Sequence, residues 1–243
     1  LGSKVVVIGL GVIGQLVCRL AEAQGSEVIG IDPDPERSKN RENFFTSAGE
    51  IELSDVDTVI ITAATSSNEP IELATKIARN KAKIVVVGDI PLNISRNDFY
   101  YKELELVVSK SYGPGRYDKQ YEALGNDYPI EYVRWTENRN FEAFTKLLSQ
   151  KQIHLLDLVS EEVAFEDAPS VYEKFNDEIK PLSIVLRYNI DAEPKIVMAN
   201  DVQPEPRTSK VNVGILGAGN FAATTIMPVL KELKRECKVL GIA

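Results

Sequence analysis

Short runs of β-branched residues alternate, along the first half of the chain, with stretches whose apolar positions recur at helical spacing. Lys4–Ile8 (KVVVI) and Glu27–Ile31 (EVIGI) have the continuous apolar composition of parallel strands covered on both faces. Between them Leu16, Val17, Leu20 and Ala21 mark one face of a helix that stops at Gly25. A strand, a turn, a helix and a second strand within about 30 residues is the size of a βαβ unit. The pattern repeats with Thr58–Thr62 as strand, Glu69–Asn80 as helix with Pro70 in its first turn, and Lys83–Val87 and Leu104–Val108 as further strands. Such alternation predicts an α/β fold built on a doubly wound parallel sheet.

After Tyr112 the pattern breaks into an irregular, aromatic stretch. A helix then starts at Asn140, read as its N-cap, with Phe141, Phe144, Leu147 and Leu148 on one face. Asp167–Asn176 is a second capped helix, and Ser183–Tyr188 closes the region as a strand. Residues 189–209 hold three prolines and scattered charges without periodicity and read as a linker. From Lys210 the strand, turn, helix and strand begin again. The predicted organisation is therefore one domain over 1–188, a linker over 189–209 and an incomplete second βαβ unit over 210–243. Leu1 stands directly before a strand and the chain stops soon after the second unit starts, so both ends read as truncated.

The turn between the first strand and helix is GLGVIG, residues 9–14. In such a turn Gly9 permits the tight bend, Gly11 lets a pyrophosphate approach the backbone and Gly14 lets helix and strand pack closely, with Val12 and Ile13 opening the helix. The helix N-terminus then presents N–H groups and a positive dipole end to phosphate. This is the Rossmann fingerprint, and the second strand ends on Asp32, where a carboxylate receives the ribose hydroxyls of NAD and repels a 2′-phosphate. Arg37 is the opposing feature, since a guanidinium there accommodates NADP; Asp34 keeps the neighbourhood acidic, and NAD is the expected cofactor. A second turn, GAGNFA, supplies Gly217, Gly219 and Ala222, but its second strand stops before the position of an acid and its cofactor preference cannot be read.

Composition narrows the class. The 243 residues are 44% hydrophobic and carry a net charge of −8, with a pI near 4.9. No basic stripe is present to neutralise a phosphate backbone, which excludes a general nucleic-acid surface. No run is long and apolar enough for a membrane span. Two distant cysteines, Cys18 and Cys237, make no disulfide framework and fit a reducing compartment, so a cytoplasmic location is expected.

From Val5 to Tyr188 the order of features resembles the cofactor-binding half of medium-chain, zinc-type alcohol dehydrogenases. SKVVVIGLGVIGQLVCRLAEAQGSEVIGID is similar to their first βαβ unit, and FEAFTKLLSQKQIHLLDLVSEEVAFEDAPSVYEKFN to their closing helix, strand and helix. SKSYGPGRYDKQYE and DYPIEYVRWTENRN resemble a subgroup in which such a dehydrogenase is fused to a glucose-fructose oxidoreductase/inositol dehydrogenase-like domain, and VNVGILGAGNFA resembles the start of that domain. The resemblance implies hydride transfer to or from an alcohol, polyol or sugar, nucleotide sugars included, and a homodimer formed through an edge strand, either Leu104–Val108 or Ser183–Tyr188. Two features depart from the pattern. The passage from Asp32 to Thr58 is short, leaving room for a minimal third strand at Glu50–Leu53 unless residues are missing. The substrate domain that carries zinc ligands in that family would precede Leu1, and with His154 as the sole histidine no zinc site is assignable.

A nicotinamide held at the carboxyl ends of the strands would meet Ala63, Ala64 and Thr65 after the fourth strand, Gly88 and Asp89 after the fifth, and Ser111 after the sixth. Asp89 reads equally as a cap for the next segment. In SYGPGRYD, Tyr112, Arg116 and Tyr117 form a loop that stacks a sugar or holds a phosphate, or else a rigid turn packed on the sheet edge. Tyr128, Tyr132 and Trp135 read as cover for a hydrophobic rim, and Glu161 and Glu162 as a solvated strand end. No catalytic residue is assigned. The reading is the cofactor-binding portion of an NAD-dependent oxidoreductase with a small-molecule substrate, inactive alone; the alternative is a non-catalytic Rossmann scaffold that dimerises and positions a downstream domain.

Overall fold

The computed structural model describes residues 2–39, 41–174, 181–189, 210–217, 219 and 221–242. Six strands form the central sheet: β1 (Lys4–Ile8), β2 (Glu27–Ile31), β3 (Phe44–Phe45), β4 (Val56–Ile61), β5 (Ala78–Val86) and β6 (Glu105–Val108). They pair in the order β3-β2-β1-β4-β5-β6, and every pair is parallel. Helices α1 (Val12–Ala23), α2 (Pro35–Ser38), α3 (Glu69–Ile77) and α4 (Arg96–Lys102) make the crossovers. This is the doubly wound sheet that the alternation predicts, a Rossmann-like fold.

The alternation of side chains along β1 explains why its sequence is apolar throughout. Val5 and Val7 enter a core with Leu10, Cys18, Val28 and Phe44, on the side of α1. Val6 and Ile8 enter the other, with Ile29, Ile31, Val59, Ile61 and the α3 residues Ile71, Ala74 and Ile77. Burying each such Val or Ile side chain contributes roughly 1.5–3 kcal/mol.

Several element boundaries differ from expectation. The third strand is Phe44–Phe45, paired with Gly30 and Ile31, and not Glu50–Leu53. A Cβ on Gly30 would lie 2.5 Å from the Phe44 ring, so that glycine makes room for the phenylalanine, while Ala48–Glu50 is a 3-10 turn closed by a Ser47/Glu50 capping box. Helix α3 ends at Ile77, not Asn80, and runs into β5 without a loop. Lys102 Nζ makes that possible by donating to the carbonyls of Thr75, Lys76 and Ala78 at 2.7, 2.9 and 2.8 Å, which satisfies acceptors the helix end leaves open.

The long connection after β6 contains α5 (Lys119–Glu122) and leads to α6 (Glu137–Ser149). Helix α6 starts a turn earlier than expected, with the fully buried Thr136 as N-cap; Asn140 lies inside it and donates to Tyr112 O at 3.2 Å. Then β7 (Glu161–Ala164), α7 (Ala168–Lys174) and β8 (Ile184–Arg187) follow, with β7 and β8 paired in parallel. The exposed Glu161 and Glu162 sit on β7. The end of the helix expected to reach Asn176 and nearly all of the expected linker lie outside the described residues.

The chain divides into two units, Leu1–Ile190 and Asp191–Ala243. The second, taken by itself, contains β9 (Val211–Ile215), a π-helical turn over Ala222–Ile226, α8 (Met227–Glu232) and β10 (Cys237–Ile242), with β9 and β10 parallel.

Candidate functional site

Strand order reverses between β1 and β4, and the carboxyl ends of these two strands open a crevice there. The turn Gly9–Gly14 leaves β1 at this point. Gly9 has φ +99°, and a Cβ on it would stand 2.5 Å from Ala63 N; a Cβ on Gly14 would stand 1.9 Å from Gly9 O. Both glycines are therefore required by the protein's own packing. Gly11 is different: it is the N-cap of α1, no side chain caps the helix, and a Cβ there meets nothing within 4 Å. Val12 is half-buried and Ile13 exposed beside it. Open backbone at a helix N-terminus, with no acid in its first turn, is what an approaching pyrophosphate requires.

Asp32 is buried at the end of β2, where it fastens the turn. Its Oδ2 accepts from Leu10 N at 2.6 Å and its Oδ1 from Asp34 N at 2.9 Å. Arg37 lies 3.3 Å from Asp32 Oδ2 and 3.3 Å from Asp34 Oδ2, so its charge is shared between two carboxylates. Two contacts escaped the sequence reading. Thr62 Oγ1 donates to Gly9 O at 2.6 Å and latches β4 to the turn, and the buried Gln15 donates from Nε2 to Arg37 O at 3.2 Å. A threonine closing an apolar strand and a glutamine in the first turn of the helix are the signals that mark them.

The other predicted positions gather at the same edge of the sheet. Thr65 N donates to Asp89 O at 3.0 Å, tying the segments after β4 and β5 together, and the Asp89 side chain is exposed. Ala64 and Thr65 are exposed and Ala63 is half-buried. Gly88 has a packing reason of its own, because a Cβ there would lie 1.9 Å from Ala63 O. Ser111 is exposed just beyond β6, where Ser109 N bonds to Val86 O.

Arg116 carries no free charge for a phosphate. It pairs with Glu122 at 2.6 Å, and its guanidinium lies 4.5 Å from the Tyr117 ring centre and 5.3 Å from that of Tyr112. The expectation that Tyr112 and Tyr117 pack away on the sheet edge also fails, since both rings are exposed. The same holds for Tyr132 and Trp135, whereas Tyr128 stacks on Tyr121 inside the loop.

The second glycine turn lacks the crowding of the first. Gly217 has φ +79°, yet a Cβ on it meets nothing within 4 Å where one on Gly9 is crowded; Gly219 is open as Gly11 is, and Leu216 and Phe221 are exposed. Among the described residues of the turn itself only Ala222 is buried, with Ile215 buried at the end of the strand before it. Among the described residues of this unit no strand plays the part of β4.

The sheet order, the turn at the switch point and the acid closing β2 define a Rossmann-like α/β protein, and solved structures share the fold. The chain is similar to galactitol-1-phosphate dehydrogenase of Escherichia coli, with a TM-score of 0.59 and 21% identity over 76% of this chain and 53% of that one. It is similar to the alcohol dehydrogenase TADH of Thermus sp. ATN1, with a TM-score of 0.58 and 18% identity over 77% and 51%. A third is the alcohol dehydrogenase rspB of E. coli CFT073 complexed with NADH, with a TM-score of 0.56 and 18% identity over 76% and 52%. In sequence it is 27% identical over 149 residues to 2-dehydro-3-deoxy-L-galactonate 5-dehydrogenase of Pseudoalteromonas atlantica, covering 54% of this chain and 40% of that protein. The chain thus spans about half the length of these structures and less of the curated relative.

A family model, DUF364, described as "Putative heavy-metal chelation", matches residues 1–89. That segment has no histidine, and its one cysteine, Cys18, is buried with its thiol pushed up to about 12, chiefly by desolvation. Among the described residues no group of three His, Cys, Asp or Glu could hold a metal ion, and no helix is long and apolar enough to cross a membrane.

Proposed function

We propose that this chain is the cofactor-binding portion of a nicotinamide-dependent oxidoreductase that transfers hydride to or from an alcohol, polyol or sugar. The observation that carries the reading is Gly11: it keeps open, at the N-terminus of α1 and at the switch point of the sheet, a space that no protein atom claims. The solved neighbours and the curated relative support it, being named as dehydrogenases of alcohols, a sugar-alcohol phosphate and a sugar acid, one of them holding NADH.

The backbone of Gly11, Val12 and Ile13 would hold the pyrophosphate, Asp32 the adenosine ribose, and the segments after β4, β5 and β6 the nicotinamide. When bound, the nicotinamide supplies the hydride acceptor or donor; the chain's own residues bind and orient it. NAD is favoured over NADP because two carboxylates share the one guanidinium of Arg37, which leaves a net negative charge where a 2′-phosphate would sit. The molecule is a cytoplasmic homodimer joined along β6, an edge strand with Val107 and Val108 exposed.

Fluorescence titration of the chain with NADH and NADPH tests this. Tighter binding of NADH is expected, with binding lost in a folded Gly11→Val variant because the new side chain fills the pyrophosphate space. Unchanged affinity in that variant would overturn the assignment.

A further inference from the structure

Residues 109–136, between β6 and α6, hold five of the nine tyrosines and the single tryptophan. They divide into two sets. Tyr121 and Tyr128 stack at 5.7 Å with an interplanar angle of 17°, Tyr128 Oη donates to Asp118, and Tyr121 Oη accepts from Asn138 N at 2.8 Å. With Glu137 N donating to Pro114 O at 2.8 Å, these contacts fasten the loop to the start of α6. Tyr112 and Tyr117, by contrast, are 54% and 70% exposed.

Holding those two rings outward costs the backbone something. Tyr112 and Tyr117 adopt φ +57° and +68°, the left-handed region that a residue with a Cβ rarely enters, around Gly113 and Gly115 at +87° and +110°. Arg116 is packed against both rings, and Lys110 Nζ, 5.3 Å from the Tyr117 ring, donates to Arg116 O at 2.9 Å. Arg116 lies over both rings and Phe141 stands 6.0 Å from Tyr112, yet both tyrosines stay more than half exposed on a strained backbone, an arrangement that hydrophobic burial does not explain.

We infer that Tyr112 and Tyr117 form a stacking platform for a neutral sugar ring. Aromatic faces carry negative quadrupole charge and attract the polarised C–H face of a pyranose, while hydroxyls at the ring edges answer one another. Charge argues for a neutral ligand: residues 109–136 contain four cationic and four anionic side chains, and Arg116 is already paired with Glu122. The loop leaves the carboxyl end of β6, the edge at which the proposed nicotinamide would lie, so the platform names the substrate class of that site and rests on that reading.

Saturation-transfer NMR on the full chain tests it, using methyl β-D-galactopyranoside as the neutral probe and D-galacturonate and galactose 1-phosphate as anionic ones, with NADH titrated in parallel. Saturation should reach the ring C–H protons of the neutral glycoside. Tyr117→Ala and Tyr112→Ala should each weaken its binding roughly three- to tenfold, the size of one aromatic contact, while Tyr117→Phe retains it. No transfer to the glycoside alongside intact NADH binding would overturn the platform and leave the cofactor reading standing. Tighter binding of the anionic sugars, or alanine variants that bind like the parent, would overturn it as well.

Discussion

Besides Arg37, Asp32 has two backbone partners that belong to the protein before any ribose arrives. Replacing it with alanine leaves the N–H groups of Leu10 and Asp34 without their acceptor, beside the fully buried Leu10. A buried polar group without its partner costs about 1–3 kcal/mol, so Asp32→Ala should lower the urea midpoint as well as weaken NADH. Asp32→Asn, which keeps an oxygen for one of the two, should lower it less. Asp32 is legible in the sequence because a strand-terminal acid at this distance from a glycine turn has one recognised role. Its structural role is not legible, because it depends on which backbone N–H the fold brings to the carboxylate. For Thr62 the sequence marks the position, a threonine closing an apolar strand, but not its partner, since Gly9 O is distant in sequence.

At the scale of elements, periodicity located the buried strands and lost the short or irregular pieces. Strand β3 has two residues, too few for alternation to show, and its place is set by Gly30 accepting the Phe44 ring. The end of α3 was misplaced because its stop signal is Lys102, on another helix. Lys102→Met should therefore destabilise the sheet by about 1–2 kcal/mol through loss of charged hydrogen bonds to three carbonyls, lowering the melting temperature by roughly 2–8 °C. A circular dichroism melt measures this. The substituted side chain lies away from the glycine turn, so NADH affinity should not change.

For the whole molecule, the free edge of β6 leads to assembly. Ser109 N bonds to Val86 O on β5, so by the alternation of a parallel strand Val108 directs its backbone N–H to the open side. Val108→Pro should accordingly abolish pairing between copies and spare the sheet. Sedimentation velocity at micromolar concentration should show a dimer that becomes a 26.9 kDa monomer in the variant; a parent chain that is already monomeric across a tenfold dilution would refute edge pairing. The sheet order also bears on time. Strand β1 lies at the centre, with β2 on one flank and β4 on the other, and Val5 pairs with both Val28 and Thr58. Its second neighbour is made some fifty residues after it, which at about 5–20 residues per second is a wait of roughly 3 to 10 s on the ribosome. Through that interval a strand with four successive apolar residues has one flank uncovered, and the nascent chain depends on whatever shields Val5–Ile8 until β4 emerges.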